Sequence, residues 1–354
     1  MSTTAIMRDQ RFLEHDPGFN HVESPDRLEA IYRGLDQRIT GEGFVFPELE
    51  MASEETLALI HTPDHIARVA ATAGRPFESL DPDTGTSAGS YDAARLAAGA
   101  VVQGCRMLSA GEADAVFALV RPPGHHAEAD RAKGFCLFNN VAVGAASAIH
   151  DLGLERVLII DWDLHHGNGT QHSFYDTDQV LYFSTHMFPY YPGTGALQEI
   201  GSGKGRGFNV NVPLSGGQSD SSYAAIFNDV LTPIARQYKP EMILVSAGYD
   251  IYVEDPLGTM AVSDAGFGYM TRVVRTLADE LCGGRLLLTL EGGYNLKGLR
   301  DGVLASLGEL SGTEFLEGIR NRVDVLGGAH FGNGRLPDGA LEILRREFSS
   351  FWDF

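Results

Sequence analysis

Short, continuous apolar runs recur along the chain, at Ala115–Val120, Val157–Asp161, Val180–Phe183, Met242–Ser246 and Leu286–Leu290. Runs of this length without polar alternation suit strands that are covered on both faces. The stretches between them carry apolar positions at helical spacing, over Asp26–Ile39, Tyr91–Leu108, Val141–Leu152, Ser221–Tyr238, Asp264–Leu281 and Leu296–Leu307. Several of these open with Ser, Asp or Asn, whose side chains accept from the free amides of a helix's first turn. No Pro/Ser-rich linker, low-complexity tract or internal repeat interrupts the alternation. The pattern therefore predicts an α/β fold with a doubly wound, mostly parallel sheet and helices on both faces, in a single domain over residues 1–354.

Four of the predicted strands run straight into turns that carry chemistry. The first enters Arg121-Pro-Pro-Gly-His125-His126, and the second enters Asp161-Trp-Asp163-Leu-His165-His166-Gly-Asn168. The fourth enters Ala247-Gly-Tyr-Asp250, and the fifth enters Glu291-Gly-Gly-Tyr294. If the strands are parallel, all four turns meet at one edge of the sheet, where ligands bind in open α/β folds. Extended geometry continuing past Asp161 would put Asp161, Asp163 and His165 on one side.

Asp163, His165 and Asp250 then offer three ligands to one divalent metal and leave coordination for water and a substrate carbonyl, the open arrangement of a catalytic site. Two carboxylates make the metal electron-rich, so a separate base is required, and the His125–His126 pair can supply it. One ring takes the proton of the attacking water while the other stays cationic, and each needs a partner to fix its tautomer. Asp161 and Asn168 are the candidates. Tyr294, on a Gly-Gly turn, can donate to the oxyanion that develops on an attacked carbonyl. Each signal alone has a plainer reading: Asp-x-Asp-x-His as a capped loop, His-His as a surface turn. Their arrival from four strand ends is what favours metal-assisted hydrolysis.

Composition changes this picture little. Asp and Glu outnumber Lys and Arg by 47 to 27, a formal charge of −20, which argues against a sequence-independent grip on nucleic-acid phosphates and is otherwise the mark of a solvated surface. Cys105, Cys136 and Cys282 are widely spaced and odd in number, which argues against a disulfide framework and for a reducing, cytoplasmic setting. No signal-like h-region or bilayer-length apolar run is present, so no membrane association is expected.

The segments Arg121-Pro-Pro-Gly-His-His-Ala127, Gly134-Phe-Cys-Leu-Phe-Asn-Asn140, Asp161 to Gln171, Pro192-Gly-Thr-Gly195, Ser246 to Asp250 and Glu291 to Asn295 resemble the zinc-dependent histone deacetylase superfamily, from about His21 to about Leu299. The Asp-Trp-Asp and His-His-Gly-Asn-Gly-Thr-Gln wording is similar to its class II branch and bacterial relatives, whereas the other main branch usually has Asp where Asn168 stands. The resemblance implies an arginase/deacetylase-like sheet of about eight strands. It implies Zn2+ on Asp163, His165 and Asp250, His126 as general base and later acid, His125 paired with Asp161 as its electrostatic partner, and Asn168 orienting His126. Tyr294 would polarise the scissile carbonyl; class II relatives with a feeble site carry histidine there. Ferrous iron suits the same ligands.

The resemblance also implies a structural K+ on Asp161, the backbone oxygens of Asp163 and His165, Ser184 Oγ and the Thr185 carbonyl. Gly134, Phe135 and Tyr191 would wall a tunnel wide enough for an acylated lysine stem. Asp83 would grip substrate amides, or else form a local turn. Arg27 would lie near an inner cavity, or else form a surface ion pair. His61, His65, His150 and His172 read as structural.

Substrate choice rests on the segment Glu254-Asp-Pro-Leu257-Gly258. Polyamine-selective relatives place a glutamate where Leu257 stands, so acyl-lysine peptides or proteins are favoured over acetylated polyamines unless Glu254 or Asp255 supplies the charge. The ureohydrolases, similar in fold, need further Asp ligands for two manganese ions, and Tyr249-Asp250-Ile251-Tyr252 does not offer them. An acyl-lysine binder without turnover predicts a broken site. Homo-oligomerisation and the role of the chain beyond about residue 300 are left open.

Overall fold

The computed structural model describes residues 3–39, 43–328 and 340–354. Among these residues ten strands occur in chain order: β1 (Thr4–Met7), β2 (Phe44–Val45), β3 (Glu78–Asp81), β4 (Thr84–Thr86), β5 (Ala115–Ala118), β6 (Val157–Asp161), β7 (Val180–Met187), β8 (Asn209–Leu214), β9 (Met242–Ala247) and β10 (Leu286–Leu290). Eight form one sheet in the order β2-β1-β5-β10-β9-β6-β7-β8, with every neighbouring pair parallel. The antiparallel β3–β4 hairpin stands apart from it.

The five predicted strands are present, and the inner ones are buried along their whole length, which is why they read as unbroken apolar runs. Strand β8 was not expected, and its sequence explains why. Asn209-Val-Asn-Val-Pro-Leu214 carries two asparagines and Pro213, and proline, having no amide to donate, is tolerated on a sheet edge, which is where β8 lies.

Helices Ser90–Ala110 and Asn140–His150 pack together against the sheet, and Asp26–Asp36, Asp264–Cys282 and Leu296–Ser311 form a second group, giving the sheet a helical layer on each face. The expected side-chain caps hold at Asn139, Ser263 and Asn295, which accept from Ala142, Gly266 and Gly298 amides. The predicted helix Ser221–Tyr238 is interrupted. It runs as Asp220–Ile226, a wide π turn at Phe227–Leu231, and Thr232–Tyr238, because Pro233 has no amide and its ring excludes the usual bond four residues back.

Among the described residues near the end of the chain, Leu344, Phe348 and Trp352 join the main core, and Trp352 Nε1 donates to the Gly207 carbonyl at 2.7 Å. All three cysteines are buried and unpaired. Among the described residues no helix is long and apolar enough to cross a membrane.

Candidate active site

The sheet order makes β5, β10, β9 and β6 consecutive neighbours, so the four chemically loaded turns emerge side by side. Extended geometry stops at Asp161, and residues 163–165 bend. The bend comes from the carboxylates themselves: Asp161 Oδ1 accepts from the Asp163 amide at 3.1 Å, and Asp163 Oδ1 accepts from the His165 amide at 2.9 Å. Strand alternation therefore does not place these side chains; successive turns do. Asp161 faces His125, while Asp163 and His165 face Asp250.

Asp163, His165 and Asp250 are buried, and their ligand atoms lie within 4.8 Å of one another. His165 Nδ1 sits 3.2 Å from Asp163 Oδ1 and 3.1 Å from Asp250 Oδ2. The second oxygens are held by backbone: Gly292 donates to Asp163 Oδ2 at 2.9 Å and Leu164 to Asp250 Oδ1 at 2.8 Å. A Cβ on Gly248 would lie 2.2 Å from Asp163 Oδ2, so only glycine lets strand β9's end approach this carboxylate. Burial, then the neighbouring Asp163 charge, raises the Asp250 carboxyl to about 7. Two carboxylates and one imidazole so confined fit a single divalent ion, which offsets their charge.

The histidine pair is split electrostatically. His125 Nδ1 lies 3.0 Å from Asp161 Oδ2, which also accepts from Tyr182 Oη at 2.9 Å. Burial opposes a charge on His125, but Asp161, Asp163 and Glu291 outweigh it and raise the ring to about 10. His126, its ring centre 4.0 Å away, is held well below its ordinary value by burial and then by the charges of His125 and His165. His126 Nδ1 lies 2.8 Å from Asn168 Oδ1, leaving Nε2 as the nitrogen without an assigned partner.

A cavity of about 140 Å³ is lined by Asp83, His125, His126, Gly134, Phe135, His165, Tyr191, Leu257 and Tyr294, with Pro123 and Gly292. Gly134 and Phe135 are both left-handed, at φ 57° and 68°. A Cβ on Gly134 would stand 2.4 Å from His126 Cδ2, and the left-handed Phe135 costs about 1–2 kcal/mol. The strain is held from the β3–β4 hairpin: Asp83 Oδ1 accepts from the Gly134 amide and Thr84 Oγ1 from the Phe135 amide, each at 3.1 Å. Asp83 thus lines the cavity, and its carboxylate accepts from the Gly134 amide 51 residues away and from Thr84 Oγ1 at 2.8 Å instead of from an amide of its own turn. Tyr191 packs edge-on against His126, with ring centres 5.1 Å apart.

Arg27 is fully buried, which rules out a surface ion pair. It donates to the Gly293 carbonyl at 2.7 Å, the Glu291 carbonyl at 2.5 Å and Glu23 Oε1 at 3.0 Å, and its guanidinium lies 5.1 Å from the Tyr294 ring centre. It supports the Tyr294 turn from behind and does not line the 140 Å³ cavity. Of the residues expected around K+, Ser184 is paired in register with Asp161 on the neighbouring strand, and its Oγ lies 2.9 Å from His186 Nδ1, while Thr185 Oγ1 lies 3.5 Å from the Asp161 carbonyl; Asp163 and His165 sit in the bend beyond β6.

Three carboxylates prove to hold the site, two of them, Glu291 and Glu128, with no role expected from the sequence and the third, Asp255, in a role other than the expected one. Asp255 accepts from the Tyr294 amide at 2.7 Å, the Asn295 amide at 3.1 Å and the Leu257 amide at 3.0 Å. It is buried and engaged, so it does not bring charge to the cavity mouth as an alternative to Leu257. Glu291 accepts from the Gly124 and His125 amides at 2.7 and 3.2 Å and from Ser246 Oγ at 3.0 Å, and burial raises its carboxyl to about 7. Glu128 accepts from Asn168 Nδ2 at 2.6 Å. Glu291 and Asp255 stand within the Glu291–Asn295 and Glu254–Gly258 segments, but nothing in the spacing reveals which distant amides they meet.

A family model for the histone deacetylase domain matches residues 21–310. The chain belongs to the histone deacetylase family. It is 40% identical over 318 residues to Histone deacetylase 5 of Arabidopsis thaliana, covering 85% of this chain and 48% of that protein. It is 40% identical over 325 residues to Polyamine deacetylase HDAC10 of Mus musculus, covering 86% of this chain and 47% of that one. The chain thus spans about half the length of these curated relatives. The solved HDA15 HD domain superposes with a TM-score of 0.84 at 38% identity, covering 98% of this deacetylase-family chain and 99% of that structure. The parallel sheet with helices on both faces is the fold of this family.

Proposed function

We propose that this histone deacetylase-family hydrolase, acting as one catalytic unit, removes acetyl or related acyl groups from lysine side chains. What carries the reading is that His165 of the buried Asp163–His165–Asp250 cluster, a neutral His126 beside a cationic His125, and Tyr294 all border the same narrow cavity, with Asp163 and Asp250 directly behind His165. A Zn2+ ion on Asp163, His165 and Asp250 would acidify a water and draw electron density from the substrate carbonyl. Ferrous iron would suit the same donors.

The chain's own groups do the rest. Phe135 and Tyr191 flank an extended alkyl stem and exclude water from it. His126 Nε2 accepts the proton of the attacking water and later returns it to the leaving amine. His125, charged and held by Asp161, stabilises the negative charge that builds opposite it. The Tyr294 hydroxyl, which burial keeps protonated well above neutral pH, donates to the developing oxyanion. A K+ ion on Asp161, Asp163, His165, Ser184 and Thr185 would stiffen the β6–β7 ends.

A second reading, hydrolysis of acetylated polyamines, is favoured by the 40% identity to the mouse polyamine deacetylase. Against it, uncharged Leu257 borders the cavity, and the neighbouring Asp255 is committed to backbone amides. The deciding experiment presents metal-loaded protein with acetyl-lysine and longer acyl-lysine peptides and with N-acetylated polyamines, with and without a hydroxamate chelator. Chelator-sensitive release from the peptides is expected. Release from polyamines alone would install the second reading. Binding without release from any substrate would make the protein a binder. Two catalytic ions per chain in a metal titration would revive a binuclear ureohydrolase-like site.

A further inference from the structure

Asn168 stands where the proposed base needs an acceptor, but an amide is an ambiguous partner. Its oxygen and nitrogen ends are nearly the same size and exchange by a half-turn, and the wrong end would offer a donor to His126 Nδ1. His126 would then carry its proton on Nε2 and could not act as a base. Something must fix the amide.

Asn168 Oδ1 lies 2.8 Å from His126 Nδ1, and Nδ2 donates to the His126 carbonyl at 3.2 Å and to Glu128 Oε1 at 2.6 Å. An ionised carboxylate only accepts, so Glu128 takes the NH2 end alone; a flipped amide would set two oxygens 2.6 Å apart. Glu128 is kept ionised despite its burial by bonds from His172 and Asn168, and His172 Nδ1 lies 2.9 Å from its Oε2. Its backbone is pinned too. The Glu128 amide donates to the Arg131 carbonyl at 3.0 Å, and the Glu128 carbonyl lies 3.0 Å from His61 Nδ1.

We infer that Glu128 is a positioning residue that sets the Asn168 amide, and through it the base-competent tautomer of His126, with His172 as the outer support of the carboxylate. The inference rests on the reading of His126 as base. It also explains how a neutral Asn serves where a carboxylate would make the more direct partner: the negative charge sits one side chain further out.

The test uses the full chain in four forms: E128A, E128Q, N168D and the double variant N168D/E128Q. Turnover and KM are measured on an acyl-lysine peptide at pH 8, with nitrogen NMR of the His126 ring as a readout independent of rate. E128A should lower kcat about ten- to a hundredfold, the usual cost of losing such a supporting bond, with little change in KM, and should mix the His126 tautomers. E128Q keeps an oxygen that can accept from Asn168 and should retain most of the rate. N168D alone sets two carboxylates against each other and should be strongly impaired. Adding E128Q supplies an NH2 donor to the new Asp and should recover at least tenfold of that loss.

A merely structural glutamate would not give rescue of one damaging change by a second. Equal rates for N168D and N168D/E128Q, or an unmixed tautomer in E128A, would overturn the inference. Full activity in a fifth form, H126A, would instead bring down the base assignment, while the His126 ring-nitrogen signature in E128A against the parent still reports whether Glu128 fixes the tautomer.

Discussion

Two buried histidine pairs lie close together in this fold and behave in opposite ways. His125 and His126 have ring centres 4.0 Å apart, and His61 and His65 have theirs 5.1 Å apart. The first pair stands among Asp161, Asp163 and Glu291, and one ring is raised to about 10 while the other is depressed. The second meets neutral backbone: His61 contacts the Glu128 carbonyl and the Asn139 amide, and His65 contacts the Leu137 carbonyl. Both of its rings are lowered by burial, His61 to about 3. Burial is common to both, so burial does not separate the pairs. The carboxylates around the first pair do.

The sharpest break of the comparison is to remove one ring from the charged pair. His126→Ala should cost about 10²–10⁴ in kcat while leaving metal content and thermal midpoint near those of the parent, since the loss falls on proton transfer. Steady-state kinetics with metal analysis checks this, and a drop in rate of less than fivefold would erase the distinction between the pairs. Tyr294→Phe comes next. Deleting one oxyanion donor should lower kcat by about 10²–10³ and spare substrate affinity. An unchanged kcat would remove Tyr294 from the chemistry and leave it as the ring beneath which Arg27 packs.

The four strands that deliver the site were readable because each is a fully buried apolar run ending in a dense cluster of functional side chains. Their adjacency follows from parallel pairing. Less legible was everything set by tertiary approach. Edge strand β8 hides behind Asn and Pro, and the bend at residues 163–165 overrides strand alternation. The supports Asp255, Glu128 and Glu291 act on groups 39, 40 and 167 residues away, where no local spacing points. His172 reads only as structural, and nothing in the sequence names Glu128 as the group it meets.

The smallest expected effect concerns the uncharged pair, and its sign is opposite to that of His125. A ring raised in the folded state, as His125 is, contributes stability that is present below 6.5 and lost as pH rises through about 10. His61 falls from 6.5 to about 3 on folding. Between those values the unfolded chain binds a proton that the folded chain refuses, so stability declines as pH drops from about 6.5 toward 3. Each such group can add a slope of up to about 1.4 kcal/mol per pH unit. His61→Asn removes the titrating ring while keeping a polar side chain near the Glu128 carbonyl and the Asn139 amide. Urea unfolding of metal-free protein at pH 7.5, 6, 5 and 4 should show a shallower acid decline in the variant, with the remaining slope carried by rings such as His65. Parallel declines in the two proteins would mean that His61 is protonated in the folded state, and the carboxylate criterion separating the two pairs would fail.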